Sequence, residues 1–162
     1  MPRVYLSLGS NLEPHRHLRS ALDALQRRFG LIIESPVYRF PAIGFDGPDF
    51  LNLAVGLDTD VDPESLNDWL HALEDRHGRR RDVPRFSSRT LDIDIVLYGD
   101  LVQKSGNHLD IPRPELDQAF VLKPLADIAP RALHPLLGKT MLDLWRENPA
   151  YSLPFERVTL RR

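Results

Sequence analysis

The segment SSRTLDIDIVLYG, residues 87–99, places two carboxylates, Asp92 and Asp94, one residue apart in a run that otherwise reads as a buried β-strand. Leu91, Ile93, Ile95 and Leu97 alternate with Asp92, Asp94 and Val96, so the period is two and both carboxylates project from one face. Strand interiors are poor in Asp, and adjacent like charges repel. Something must offset that cost. Residues two apart on a strand stand about 7 Å apart, at about 3.3 Å per residue. Carboxylates so placed can reach a pair of divalent ions about 3.5–4 Å apart. Oxygen-only ligation favours magnesium, which leaves its other positions to phosphates and water. A solvent-facing strand whose aspartates are hydrated, or paired with arginines, explains the same pattern.

Residues 76–89, RHGRRRDVPRFSSR, hold six arginines and one aspartate in a chain of net charge −2. A basic arm on a mildly acidic protein suits an anionic ligand met at one place. Arg79, Arg81, Arg85 and Arg89 lie shortly before the acidic pair. Together they describe a polyphosphate site, where guanidiniums grip nonbridging oxygens bidentately and follow charge as it develops. Asn52 can offer a donor and an acceptor to the edge of a flat heterocycle, with Phe50, Phe86 and Phe120 as apolar planes. Ordinary core phenylalanines and a strand-end asparagine account better for that spacing taken alone. Gly138-Lys139-Thr140 lacks the earlier glycine of a phosphate-binding loop, Leu133 standing in its place. His15 and His17 point apart on a helix, and Ser7 and Ser10 lack a nucleophile-elbow context.

The elements that must position these residues follow from periodicity. Residues 3–8 alternate and predict a strand that Gly9-Ser10-Asn11 breaks. Leu18, Ala21, Leu22, Leu25 and Phe29 form a helical stripe stopped by Gly30. Residues 31–39 predict a strand whose Pro36 marks an edge or a bulge, and the Gly- and Pro-rich residues 40–49 a loop. In residues 50–58, Leu51, Leu53, Val55 and Leu57 face one way and Phe50, Asn52 and Ala54 the other. Asp62 and Pro63 open an amphipathic helix carrying Leu66, Trp69, Leu70 and Leu73, which Gly78 ends. With the Asp-bearing strand last, the order is β-α-β-β-α-β: an α+β, ferredoxin-like core, its antiparallel sheet carrying both helices on one face. Residues 100–162 form a proline-rich C-terminal extension with a helix near Thr140 to Arg146, expected to cover part of the sheet's open side or edge.

At 162 residues, 42% hydrophobic and 27% charged, the chain reads as one domain over residues 1–162. It has no cysteine, which excludes thiolate chemistry and suits a reducing cytoplasm. No membrane span and no signal peptide are expected. The aromatic spacing of a single-strand RNA reader is absent, so no nucleic-acid partner is expected.

The motifs YLSLGSNL (5–12), DFLNLAV (49–55), LEDRHGRRR (73–81), SRTLDIDIVLYG (88–99) and AFVLKPLADIAP (119–130) together resemble the hydroxymethyldihydropterin pyrophosphokinases of folate biosynthesis, over nearly the whole chain. That resemblance implies a monomeric enzyme that moves the pyrophosphoryl group of its co-substrate ATP onto a dihydropterin hydroxymethyl oxygen, releasing AMP. It also implies two Mg2+ ions on Asp92 and Asp94, with Arg79 and Arg89 completing the catalytic set. His71, Glu74, Arg81, Arg85, Ile95, His108, Asp110 and Arg113 match positions that approach ATP. Asn52 matches the residue at the pterin edge, Phe50 and Phe120 its aromatic sandwich, and Phe86 the residue that seals the site. Phe40, Pro41, Ala42, Ile43 and Asp92 match its other pterin neighbours. The arginine segment, residues 78–88, is expected to close over the nucleotide.

Four positions depart from the family pattern. Arg113 replaces a histidine, Gln118 an arginine, Phe50 a tyrosine, and Phe40 stands where threonine is common. They surround the expected ATP and pterin sites and keep open a divergent relative that binds its ligands but turns over slowly. The acidic pair is intact.

Overall fold

Alternating apolar residues give one sheet two buried faces, each covered by helices from a different part of the chain. The computed structural model describes residues 1–79, 82, 87–104 and 109–161. The elements are β1 (Arg3–Ser10), α1 (Pro14–Phe29), β2 (Ile33–Glu34), β3 (Val37–Phe40), β4 (Phe50–Asp58), α2 (Pro63–Arg76) and β5 (Asp92–Tyr98). There follow β6 (Gln103–Lys104), β7 (Asp110–Ile111), a 3-10 turn (Pro114–Asp117), α3 (Ala119–Ile128), α4 (Met141–Glu147) and β8 (Arg157–Val158). The main sheet runs β5-β1-β4-β3-β8, with β2 also on β4, and its pairings are antiparallel. Counting β2 and β3 as one interrupted strand, this is the ferredoxin-like order. Among the described residues no helix is long and apolar enough to cross a membrane.

On one face Leu6, Leu8, Leu53, Val55, Ile93 and Ile95 pack against Leu18, Leu22 and Leu25 of α1 and Leu66, Leu70 and Leu73 of α2. Each fully buried leucine contributes about 1.5–3 kcal/mol by leaving water. The two helices end as their sequences require. Asp62 accepts the Ser65 N–H at 2.9 Å to start α2, and Gly30, at φ +81°, stops α1. On the other face Ala54, Val96 and Leu97 meet Val121, Leu122 and Leu125 of α3 and Met141 and Trp145 of α4. The C-terminal extension therefore covers part of the open face, as expected, and the remainder is a cleft.

Four local expectations require correction. β1 continues through Gly9 and Ser10, which pair with Asn52 and Leu51. Gly9 stays in the ladder, and the Asn52 side chain occupies the space that a Cβ there would need. Residues 31–39 make two short strands, since Pro36 has no N–H to give to a ladder. At the junction the Ser35 hydroxyl accepts the Ala54 N–H at 2.8 Å, so no donor is stranded.

The phase of β5 also changes partway. Leu6 pairs with Ile95 but Tyr5 with Leu97, leaving Val96 as the extra residue of a β-bulge. Leu97 consequently joins Val96 in the second core, and Tyr98 packs on the first. The aspartates lie before the bulge, so their shared face is preserved. Finally, residues 119–128 form α3 although Pro124 removes one helical N–H. Burial of Val121, Leu122 and Leu125 outweighs the missing rung.

The tail has a defined place. β8 adds to the edge of β3, with Val37 opposite Val158 and Tyr38 opposite Arg157. Arg39 Nε donates to Glu156 at 2.8 Å.

Candidate active site

Three adjacent strands aim their open-face residues into one cavity of about 450 Å³. Across the sheet Gly9 stands opposite both Asn52 and Asp92, and Ser7 opposite Asp94. At the usual spacing between neighbouring strands, Asn52 and Asp92 are therefore about 10 Å apart. The absence of a side chain at Gly9 makes room between them for the Asn52 amide, whose Nδ2 lies where a Cβ would collide with it. The expected juxtaposition is present: Asp92, Asp94 and Asn52 share one wall-to-wall cleft with Phe50, Phe120, Arg89 and Arg113.

Each carboxylate has its own guanidinium. Arg79 Nη1 donates to Asp92 at 2.9 Å, to Glu74 at 3.2 Å and to the Leu91 carbonyl at 3.0 Å. Arg113 Nη2 lies 3.3 Å from Asp94, and its Nε lies 3.2 Å from Glu115. Burial, and then the neighbouring Asp92 charge, push the Asp94 carboxyl well above the usual range, with Arg113 opposing. Only about a quarter of the Asp94 side chain (24%) is exposed. Burial, and then Arg79, lower the Arg89 guanidinium below its ordinary value. For Arg113 burial acts against the charge, but Asp94 and Glu115 outweigh it and raise the value.

This balance bears on whether a cation fits. Among the described residues no group of three or more acidic or histidine side chains converges, and the candidate donors that line the cavity are Asp92 and Asp94, with Glu115 paired to Arg113. Two carboxylates, one of which resists ionising where it stands, suit a hard cation that draws its other ligands from water and phosphate. The residues fit magnesium better than any soft or imidazole-seeking metal.

The apolar half is built by a strand start, a helix start and a loop. Phe50 opens β4, Phe120 lies in the first turn of α3, and Pro41 and Ile43 come from the loop between β3 and β4. Phe40 lines the cavity while only 5% exposed, its ring 5.1 Å from that of Phe155. Asn52 is buried, with Nδ2 donating at 3.4 Å to the Leu8 carbonyl, so its Oδ1 remains for a ligand.

Other expected residues stand elsewhere. Glu74 is 2% exposed, and its Oε2 accepts the Ile93 N–H at 2.8 Å besides meeting Arg79. It fastens β5 to α2 rather than lining the cavity. The Ile95 side chain is buried in the first core, so only its backbone could meet a nucleotide. His71 is half-buried on α2, Asp110 lies on β7 opposite Lys104, and Ala42 lies beside the cavity-lining Pro41 and Ile43. Arg81, Arg85, Phe86 and His108 lie outside the described residues, as does most of the segment expected to close.

Sequence reasoning did not select Phe45, Glu115, Ser7, Ser87 or Val121, all of which line the cavity, and it treated Gln118 only as a departure. The Phe45 ring stands edge-on to Phe50, centroids 6.4 Å apart. Ser7 was legible from the β1 alternation. Phe45 carried no signal, since it lies in a loop without period.

A family model for 7,8-dihydro-6-hydroxymethylpterin-pyrophosphokinase matches residues 5–130. A Pseudomonas aeruginosa protein named 2-amino-4-hydroxy-6-hydroxymethyldihydropteridine pyrophosphokinase is 44% identical over 138 residues, covering 79% of this chain and 81% of its own. A protein of the same name from Synechocystis is 38% identical over 143 residues, covering 86% and 72%. Among solved structures, Plasmodium falciparum HPPK-DHPS superposes with a TM-score of 0.72 at 16% identity, over 97% of this chain and 47% of that one. The last likeness shows the fold alone, and this chain spans about half the length of that protein.

Proposed function

The chain belongs to the 7,8-dihydro-6-hydroxymethylpterin-pyrophosphokinase family, and from that premise we propose that it transfers the terminal diphosphate of ATP to the hydroxymethyl oxygen of 6-hydroxymethyl-7,8-dihydropterin in folate biosynthesis. The acceptor oxygen attacks the β-phosphorus, the bond from that phosphorus to the oxygen bridging to the α-phosphate breaks, AMP leaves, and the hydroxyl proton passes to solvent. Positioning and charge stabilisation supply most of the acceleration.

Asp92 and Asp94 would hold two magnesium ions. Bound there, these ions would neutralise phosphate charge and orient the transferring group. Arg89 and Arg113 face the same cavity and are the guanidiniums suited to phosphate oxygens. Arg79 stands outside the cavity lining and meets two carboxylates and a carbonyl, so its part in catalysis is to hold Asp92 in place. Phe50 and Phe120 supply apolar planes for the pterin, and Asn52 Oδ1 accepts from its edge. The protein acts as a monomeric single domain in the cytoplasm, on small molecules alone.

The observation that supports this most is the meeting of Asp92, Asp94 and Asn52 with Phe50 and Phe120 around one cavity. The test is AMP release from ATP with magnesium and the dihydropterin, preceded by calorimetric titration of each ligand. AMP formed only when all three are present supports the proposal. Binding of both substrates without AMP would identify a binding protein instead.

A further inference from the structure

Asn11 does not line the cavity, yet it joins the two segments that do most to shape it. It is 3% exposed. Its Oδ1 accepts the Arg89 main-chain N–H at 2.7 Å. Its Nδ2 donates to the Pro48 carbonyl at 3.0 Å and to the Ser88 hydroxyl at 3.2 Å. The main-chain N–H groups of Asn11 and Leu12 both donate to the Arg89 carbonyl, at 3.0 and 3.2 Å. Arg89 is therefore gripped by its amide and its carbonyl from the same turn after β1.

These partners are distant in the chain. An asparagine that merely shapes a turn bonds its own neighbours within a few residues. Here the side-chain bonds span 37, 77 and 78 residues. The loop 41–49 carries Pro41, Ile43 and Phe45, and the Phe45 ring meets Phe50 edge-on. Among the described residues its bond from Asn11 to Pro48 is the one hydrogen bond it makes. The loop also approaches the arginine segment closely, since a Cβ at Gly47 would lie 3.3 Å from the Ser88 hydroxyl oxygen.

Few side chains could replace this one. The junction needs one acceptor and two donors on a short planar group. Aspartate keeps the acceptor and loses both donors, glutamine is longer by a methylene, and serine has a single donor.

We propose that Asn11 is a positioning residue that clamps the loop under the pterin to the main chain of Arg89, so that the two halves of the cleft are held in register. The proposal rests on the functional reading given above. Arg89 must then fall short of its working position when the clamp is removed, and misplacement of about 1 Å is enough to cost a hundredfold in rate.

The test compares Asn11→Ala, Asn11→Asp, Arg89→Ala and the double variant Asn11→Ala/Arg89→Ala in steady-state turnover, with pterin affinity measured separately by fluorescence. Asn11→Ala is expected to lose on the order of a hundredfold in kcat, and the double variant to be no slower than Arg89→Ala alone. A general loss of structure would instead add to the Arg89 loss. Additive losses, or unchanged kcat in Asn11→Ala, overturn the proposal. Asn11→Asp, which keeps the acceptor for Arg89 but cannot donate to Pro48, should retain more of kcat than Asn11→Ala while its pterin Kd rises about tenfold, roughly the worth of one lost hydrogen bond. Equal kcat losses in these two variants also overturn it. Wild-type turnover in Arg89→Ala overturns the functional reading itself, and the clamp with it.

Discussion

A Cβ built on Gly9 would lie 2.5 Å from Nδ2 of Asn52, its partner across the β1–β4 ladder. The glycine thus sets the seat of the amide assigned to the pterin edge. Gly9→Ala forces Asn52 to move, because no real Cβ tolerates that distance. Overpacking of this kind costs about 1–3 kcal/mol. Pterin affinity should fall about tenfold or more, by loss of one oriented hydrogen bond, with ATP affinity little changed. Fluorescence titration of the pterin checks this, and unchanged affinity would show that Asn52 does not meet the ligand.

Asp94 should weaken the metal-free fold. Its carboxyl is held above the usual range by burial and by Asp92. A raised folded value means that the folded state binds the proton more tightly. Stability therefore falls as pH climbs from the ordinary carboxylate range through the raised value. Asp94→Asn should then melt higher than the parent at pH 7 without divalent cations, by roughly 2–4 °C if about 1 kcal/mol is recovered. It should also lose turnover. A lower melting temperature would contradict this account of Asp94.

Arg79 and Arg89 should separate under mutation. Removing Arg79 takes the counter-charge from the buried Glu74 carboxylate and from Asp92, a change that costs about 3–5 kcal/mol in buried pairs. The Arg89 guanidinium is already disfavoured by burial and Arg79. Urea titrations should show a large loss for Arg79→Ala and a much smaller one for Arg89→Ala, though both impair turnover. Equal losses would count against the division of labour.

His17 and His77 should make the fold acid-sensitive. Their Nδ1 atoms are 2.7 Å apart, so one ring donates and the other accepts. Burial, then Arg16, lowers the His17 value, and burial, then His17 and Arg76, lowers that of His77. With folded values below the unfolded one near 6.5, the stabilisation is complete above about pH 6.5 and lost as pH falls through the folded values. NMR titration of both imidazoles should give midpoints below that of a free histidine. Midpoints at or above it would refute the prediction.

What the sequence revealed depended on whether one local period decided the outcome. The Asp92–Asp94 face, the Phe50–Asn52 face and the stripes of α1 and α2 were legible because alternation or helical spacing ran unbroken through them. Val96 escaped notice because a bulge inserts a residue without changing composition. α3 escaped because Pro124 argues against a helix unless the tertiary burial of its neighbours is known. Glu74 was matched to the nucleotide by resemblance alone, and its inward contacts with Arg79 and the Ile93 N–H were not legible. Nothing in its own surroundings in the chain could reveal that partner. Phe45 and Asn11 likewise gain their significance from contacts with distant segments.

The strand β8 has a consequence for biosynthesis. Phe40, a wall of the cleft, leans on Phe155, and β3 takes its outer neighbour from residues 157–158. Glu156, which fastens Arg39, is translated 117 positions after it. A nascent chain can thus assemble its acidic floor and most of its sheet while the ribosome still conceals the segment that braces the aromatic wall. Ligand capture must wait for that late brace, so truncated or stalled products should fold in large part yet bind pterin poorly.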